Sequence, residues 1–477
     1  MYTPSTADVI TTEKGPSKLL FLISGLFVLL LAFLIDKHIA MPSHIILFLG
    51  ISFVAGLFLA SLSRVDVILY ITAAYIPFSN ILAGDFSGAM TAVNFTNILT
   101  IIAIISWAVN SLTKNEKFYT RTSLDIPLLL FMFLSCMSLF RGNMYFDTGY
   151  IGAFIYPLKR WLTPMFFFFI FKNAIRTKAQ MKTLTIIIMF VVFTAALMAA
   201  KDYINIGTVS TLDKARVGGI LNQPNYLAAF FVYYMFLFAG FWLSNWTKIG
   251  YWFLLMPFMV CFRGIQVTFS RGGYIAFLGG AAAIAFFKNK LLFAAGLAVL
   301  VIALANPVIL PKGIAYRMSQ TFRNDRVFTT DVEDVVDRSS YRRILAWKGA
   351  AVMIKQHLLF GVGYGGFPYL IGSYAPVGFM DAHNTYILIA AEMGMPTLII
   401  FLLVLLIIFI NACILYYRVT DKFVKALALG FLGGFGGLLV ANIFGGRLNS
   451  TELTSYFWIL TALIFRAKEL HKEGKIK

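Results

Sequence analysis

Charge is scarce in this chain. Only 13% of its 477 residues are Asp, Glu, Lys or Arg, while 60% are hydrophobic, and the mean hydropathy is +0.81. A soluble chain of this length carries more charge and shorter apolar runs, so the scarcity excludes an ordinary water-soluble domain and points to a membrane protein. Acidic residues are scarcer than basic ones, 21 against 40, which leaves a net charge of +19. That sign raises nucleic acid as a partner. In a membrane chain a surplus of cations has a topological explanation, and no nucleic-acid partner is expected. Cysteine is scarce too. Cys136, Cys261 and Cys413 fall in apolar runs, at no metal-ligand spacing and with no pairing that suggests a disulfide, so they read as small core residues. A small-residue cleavage site is missing after the apolar run 19–35, where Pro42 and His44 follow instead. That run is expected to be a retained first span rather than a signal peptide.

What the chain has is long apolar segments. A span needs about 20 apolar residues. Such runs lie near 19–35, 44–62, 67–83, 93–112, 124–140, 155–172, 181–200, 225–243, 250–268, 272–287, 291–309, 395–416, 424–445 and 452–466. The third contains Pro77 and the last is short, so either could tilt or re-enter. With the N-terminus inside, the short inner loops and tail hold roughly 21 cations against roughly 10 at the outer ends, the bias that sets orientation. Both termini then face the cytoplasm. The long polar segment 311–394 faces outward. The expected fold is all-α, a polytopic membrane helical bundle of about 12–14 transmembrane helices with one large outer loop containing amphipathic helices. Its parts are an N-terminal bundle (1–310), the large loop (311–394), and C-terminal helices with a basic tail (395–477).

That loop opens with the charged run Tyr316–Asp337 and continues into an amphipathic helix over Ser340–His357. Ile344, Trp347, Ala351, Ile354 and Leu358 recur there at helical spacing, and Ser339 or Ser340 is placed to cap it. The helix is expected to lie on the membrane or over the bundle. The segment GVGYGGF (Gly361–Phe367) turns sharply. It lacks the Lys-Ser/Thr of a P-loop, so a plain turn is favoured over a nucleotide site.

The outer cations are rich in arginine: Arg141, Arg160, Arg216, Arg271, Arg317, Arg323, Arg326, Arg338, Arg342, Arg343 and Arg447. Any single one is explained by snorkelling or by pairing with Asp331 or Glu333. Several on one face favour a shared anion site, because a guanidinium suits the oxygens of a phosphate. His383 lies just before the apolar run Tyr386–Ala391, near the outer surface, where an imidazole titrates near neutrality. Alone it reads as structural. The acidic run Asp331, Glu333, Asp334 and Asp337 reads as a solvated loop rather than a metal site, and no cofactor is expected.

In this order, RVGGILNQPNYLA (216–228), SRGGYIAFL (270–278), RILAW (343–347), GVGYGGF and AHNTYILIAAEMGMPTLIIFLL (382–403) resemble the O-antigen ligase and O-antigen polymerase family of bacterial membrane glycosyltransferases. The resemblance covers about the C-terminal half. Where the family usually has a proline before its GVG segment, this chain has Leu358, Leu359 and Phe360.

The resemblance implies transfer of a glycan from undecaprenyl diphosphate to an acceptor sugar hydroxyl, on the periplasmic face of the bacterial inner membrane. The acceptor is the lipid A core for a ligase, or another lipid-linked glycan for a polymerase. It implies a base role for His383 and diphosphate binding by Arg216 and Arg271, with Arg343 a looser match. Arg160, at an outer span end, joins that set. Asn222, Asn225, Gly363 and Asn384 stand in the matching motifs as supports of the substrate site. Bottom-up chemistry agrees: a departing diphosphate needs cations, an attacking hydroxyl needs a base with a pKa near ambient, and direct displacement inverts the anomeric carbon without a metal. Phe166–Phe169 are candidates to line a polyprenyl groove, or ordinary core and lipid-facing residues. Competing readings are a lipid-linked glycan flippase or transporter and a structural membrane protein. A transporter usually places its essential charges near the midplane between repeated halves, whereas these gather at the outer face.

Overall fold

The computed structural model describes residues 43–82, 94–146, 149–207, 215–306 and 338–476. The expected first span and the charged run Tyr316–Asp337 lie outside the described residues. The chain divides into two compact units, Met1–Leu57 and Phe58–Lys477. Of the first, the described part is the opening of helix α1 (Ser43–Ser63).

The second unit is built from helices, and among the described residues there is no strand. In order they are α2 (Val65–Tyr75), α3 (Phe95–Thr113), α4 (Asp125–Tyr145), α5 (Tyr150–Ala174), α6 (Lys178–Ile206), α7 (Pro224–Tyr234), α8 (Phe236–Ser244) and α9 (Leu255–Val267). Then come α10 (Arg271–Lys288), α11 (Lys290–Ala305), α12 (Arg338–Gln356), α13 (Thr385–Met393), α14 (Met395–Arg418), α15 (Lys422–Ala441) and α16 (Thr451–Lys472). Among the described residues, seven helical stretches are long and apolar enough to cross a membrane by length and composition: α3, α4, α6, α7 with α8, 249–267, α14 and α15. The chain is a polytopic helical bundle.

Local chemistry sets the element ends. Pro77 falls in a 3-10 turn (Ile76–Phe78) that breaks the third expected span, because proline removes a backbone donor. Asn94, Thr177, Ser270, Asn384 and Asp421 each cap the helix that follows with a side-chain oxygen. At the centre, α15 carries GFLGGFGG. A Cβ on Gly434 would stand 2.0 Å from the Tyr233 carbonyl, and one on Gly240 would stand 2.4 Å from the Gly430 nitrogen. Glycine is required where α7, α8 and α10 press their backbones onto α15, the small-residue packing that membrane helices use.

Two expectations are corrected here. The helix over the last expected span is not short. The helix runs 22 residues, and nearly all of α16 is buried, because protein rather than lipid surrounds it. The loop helix buries a different stripe from the one its large apolar residues suggest. Ala346, Gly349, Ala350 and Met353 face inward, while Ala351 and Leu358 are exposed. The small residues let α12 settle onto its own loop: a Cβ on Gly349 would meet Ala375 at 2.7 Å. Its core includes Val362, Phe367, Ile371 and Ala391. Ser339 and Ser340 lie inside its first turn, so the cap falls on a residue outside the described set.

The long helices give the unit two ends. One gathers the starts of α3, α7, α10, α12, α13 and α16 with the close of α2 and α15. The other gathers the close of α3, α5 and α16 with the starts of α6 and α15.

Candidate active site

At the first end, a cavity of about 290 Å3 opens among Arg216, Arg271, Arg343 and Arg447, with Asn225, Ser270 and Ser339 beside them. Each arginine comes from a different element. Arg216 precedes the 3-10 turn Gly219–Leu221. Its Nε donates to the Thr268 carbonyl at 3.0 Å and a terminal nitrogen to Asn225 Oδ1 at 2.9 Å. Ser270 Oγ donates to the same Asn225 oxygen at 2.8 Å and accepts from the Gly273 amide, capping α10. Arg271 therefore stands in the first turn of an 18-residue helix, whose amino end adds partial positive charge. Gly273 is needed for the approach, since its Cβ would lie 2.7 Å from Ala228. Arg447 stacks over the Tyr226 ring at 4.9 Å, and Tyr226 donates to Asn449 at 2.8 Å.

His383 is held from both sides. The Trp347 indole, one turn after Arg343 on α12, donates to the Ala382 carbonyl at 2.7 Å. On the other side Asn384 caps α13 by accepting from the Tyr386 and Ile387 amides. The Thr385 amide donates to the Asn442 carbonyl at 2.9 Å, and the Arg447 amide donates to Asn442 Oδ1 at 3.1 Å. One short network thus fixes the histidine and Arg447 together. His383 itself has φ 49°, a left-handed conformation that side chains rarely adopt. Asn222 (55°) and Phe269 (50°), both beside the cavities, share it. Such backbone gathers where geometry is imposed on a site.

Burial pushes the His383 pKa below the ordinary histidine value. Arg343 and Arg447 push the same way, and Asp381 opposes them. His383 Nδ1 stands 3.7 Å from Asp381 Oδ2, too long for a hydrogen bond but close enough for attraction. The lowered pKa favours the neutral imidazole, the form that accepts a proton.

The structure brings Arg216, Arg271, Arg343 and Asn225 to one cavity, with His383 beside its arginines. Arg160 stands elsewhere. It pairs with Glu452 at 2.6 Å in a second cavity, which Asn222 also lines. Gly363 lines neither cavity. Its φ is 101°, its amide donates to the Glu392 carbonyl at 2.9 Å, and a Cβ would strike the Gly142 Cα at 2.3 Å, so it clasps the loop onto α4. Arg447, Tyr226, Asp381 and Ser270 join the site without having been singled out. Arg447 was one of many outer arginines, and Tyr226 and Ser270 stood unremarked inside the quoted motifs. Asp331 and Glu333 lie outside the described residues. Among the described residues, no group of three His, Cys, Asp or Glu could hold a metal ion. Phe167 and Phe168 are buried core, and Phe166 is exposed.

Residues 253–402 match the family model described as O-antigen ligase. Over this segment the match supports the resemblance to the O-antigen ligase and polymerase family. The match takes in Arg271, Arg343, Gly363, His383 and Asn384. Arg216, Asn225 and Arg447 stand outside it and reach the same cavity through the fold. No curated protein matches the chain. The family match and the apolar helices together support a multi-pass membrane protein of the O-antigen ligase/polymerase type.

Proposed function

We propose that this glycosyltransferase moves a glycan from undecaprenyl diphosphate to an acceptor sugar hydroxyl at the periplasmic face of the inner membrane, as an O-antigen ligase whose acceptor is the lipid A core. The observation that carries the reading is the arginine cavity beside a neutral histidine. His383 takes the proton of the acceptor hydroxyl. The oxygen attacks the anomeric carbon, and the bond from that carbon to the diphosphate oxygen breaks. The electron pair leaves on undecaprenyl diphosphate. Arg216, Arg271, Arg343 and Arg447 are already oriented toward that charge, so no metal is needed, and a single displacement inverts the anomeric centre. Asn225 and Ser270 hold the arginines in place, and Asn384 holds the base.

The test is a gel profile of lipid-linked and surface glycans from cells lacking the protein, with and without the gene restored. Full-length polymer stranded on its lipid carrier is the expected result. Carriers or acceptors bearing single repeat units would make the chain a polymerase of the same family. Units trapped on the cytoplasmic face would make it a flippase, and an unchanged profile would end the proposal.

A further inference from the structure

The second cavity, of about 220 Å3, lies across the Gly218–Asn225 turn from the first. Asn222 lines one and Asn225 the other, so a single short segment partitions them. Tyr226 stands at the partition, within electrostatic reach of Arg160 on one side and of Arg447 and Asp381 on the other.

The two cavities differ in chemistry. In the second, Glu452 accepts from Arg160 at 2.6 Å and from Ser450 Oγ at 2.6 Å, so the guanidinium charge is met by a carboxylate. Lys159 adds a second cation, and neutral groups supply much of the rest: the amides of Asn80, Asn97 and Asn222, the Thr163 hydroxyl, and the rings of Tyr75 and Tyr156. A phosphate prefers donors and positive charge. A sugar ring has hydroxyls that both donate and accept, and C–H faces that lie on aromatic rings. Amides and hydroxyls beside tyrosines meet both needs.

We propose that this second cavity is a carbohydrate subsite that holds a neutral sugar residue while the diphosphate occupies the arginine cavity. The inference rests on the transfer reading above. The sugar belongs either to the lipid-linked donor or to the acceptor.

The test uses full-length protein in lipid nanodiscs. Saturation-transfer NMR measures binding of free glucose, galactose, N-acetylglucosamine, N-acetylgalactosamine and rhamnose, and of the oligosaccharide released by mild acid from the lipids of producing cells. Phosphorus NMR measures binding of inorganic pyrophosphate. In the double variant Asn80→Ala/Thr163→Val, saturation transfer to at least one sugar falls several-fold while pyrophosphate still binds. That retained binding also shows that the variant is folded. Arg271→Ala gives the reverse pattern. Silence of every sugar at its solubility limit, or equal transfer in the double variant, overturns the subsite. Loss of pyrophosphate binding in the unaltered protein, with sugar still bound, counts against the transfer reading alone. Steady-state kinetics with donor and acceptor lipids purified from producing cells then assign the source. In the double variant a raised KM for donor alone places the donor sugar there, and a raised KM for acceptor alone places the acceptor. A fall in kcat with both KM values unchanged overturns the subsite.

Discussion

The two ends of the helical unit use cations differently. At the end away from the cavities, cations are held by carboxylates. Buried Lys172 meets Glu469 at 2.7 Å, Arg466 meets Glu469 at 3.0 Å and Glu473 at 3.4 Å, Arg176 meets Glu116 at 2.9 Å, and Lys178 pairs with Asp421. These pairs tie α5, α6, α15 and α16 together. At the cavity end, Arg216 donates to a carbonyl and an amide oxygen, and Arg447 rests on a tyrosine ring. Such contacts hold each guanidinium in a fixed orientation. The far end uses arginine and lysine as struts between helices, whereas at the cavity end, among the described residues, Arg160 is set against a carboxylate, and Arg216, Arg271, Arg343 and Arg447 gather round one cavity.

Substitutions at the two ends should therefore fail in different ways. His383→Ala is expected to lower transfer by about 10²–10⁴-fold, the usual range for a general base, with insertion and melting temperature unchanged. Arg271→Ala should cost about 10²–10³-fold in rate, as for one preorganised donor to developing charge. Glu469→Ala, at the far end, should leave the rate per folded molecule intact but destabilise the protein by on the order of 3 kcal/mol, because Lys172 loses its buried partner. Thermal melting and single-turnover transfer of each purified variant separate the two classes. A Glu469 variant that melts normally but is inactive would collapse the distinction.

The pH dependence sharpens it further. Because the His383 pKa is lowered, activity should persist as pH falls below the ordinary histidine range, then drop as the imidazole protonates. Asp381 raises that pKa, so Asp381→Asn should move the acid limb to lower pH. Arg447 lowers it, so Arg447→Gln should move the limb to higher pH on a rate–pH profile.

The smallest effect concerns Glu392, fully buried in α13, a helix too short to span. Burial raises its pKa to about 8, against which the Gly365 and Phe367 amides donate to it. The fold favours its protonated form, so this contribution to stability is full below the ordinary carboxylate range and is lost progressively as pH rises from there to about 8. Glu392→Gln should flatten the fall in melting temperature between the ordinary carboxylate range and about pH 8. An unchanged fall would assign it to other groups.

Much of the cavity was legible in the chain. NQPN, SRGG and HN carry Asn225, Arg271 and His383. Turn and cap residues there act locally, and their helix starts follow directly from them. Arg160 was not legible. It looks like its outer neighbours until the fold sets it against Glu452, 292 positions away. Gly363 makes a close backbone crossing against Gly142 rather than a contact in the cavity, which its place in GVGYGGF does not reveal. The face that α12 buries most fully, Ala346, Gly349, Ala350 and Met353, was not legible, because small residues let that face approach its own loop.

The sequence by itself determined that the chain is a helical membrane protein, where most of its helices start and stop, and which arginines and histidine stand at one face. Apolar run length, caps and prolines settle those within a few residues of chain. Only the tertiary structure decided which arginines share a cavity and which one a carboxylate holds. It also decided that two differently lined cavities flank one turn. Those outcomes depend on how closely distant helices approach, which rests on side-chain size where they cross and on whether a buried charge finds its partner there.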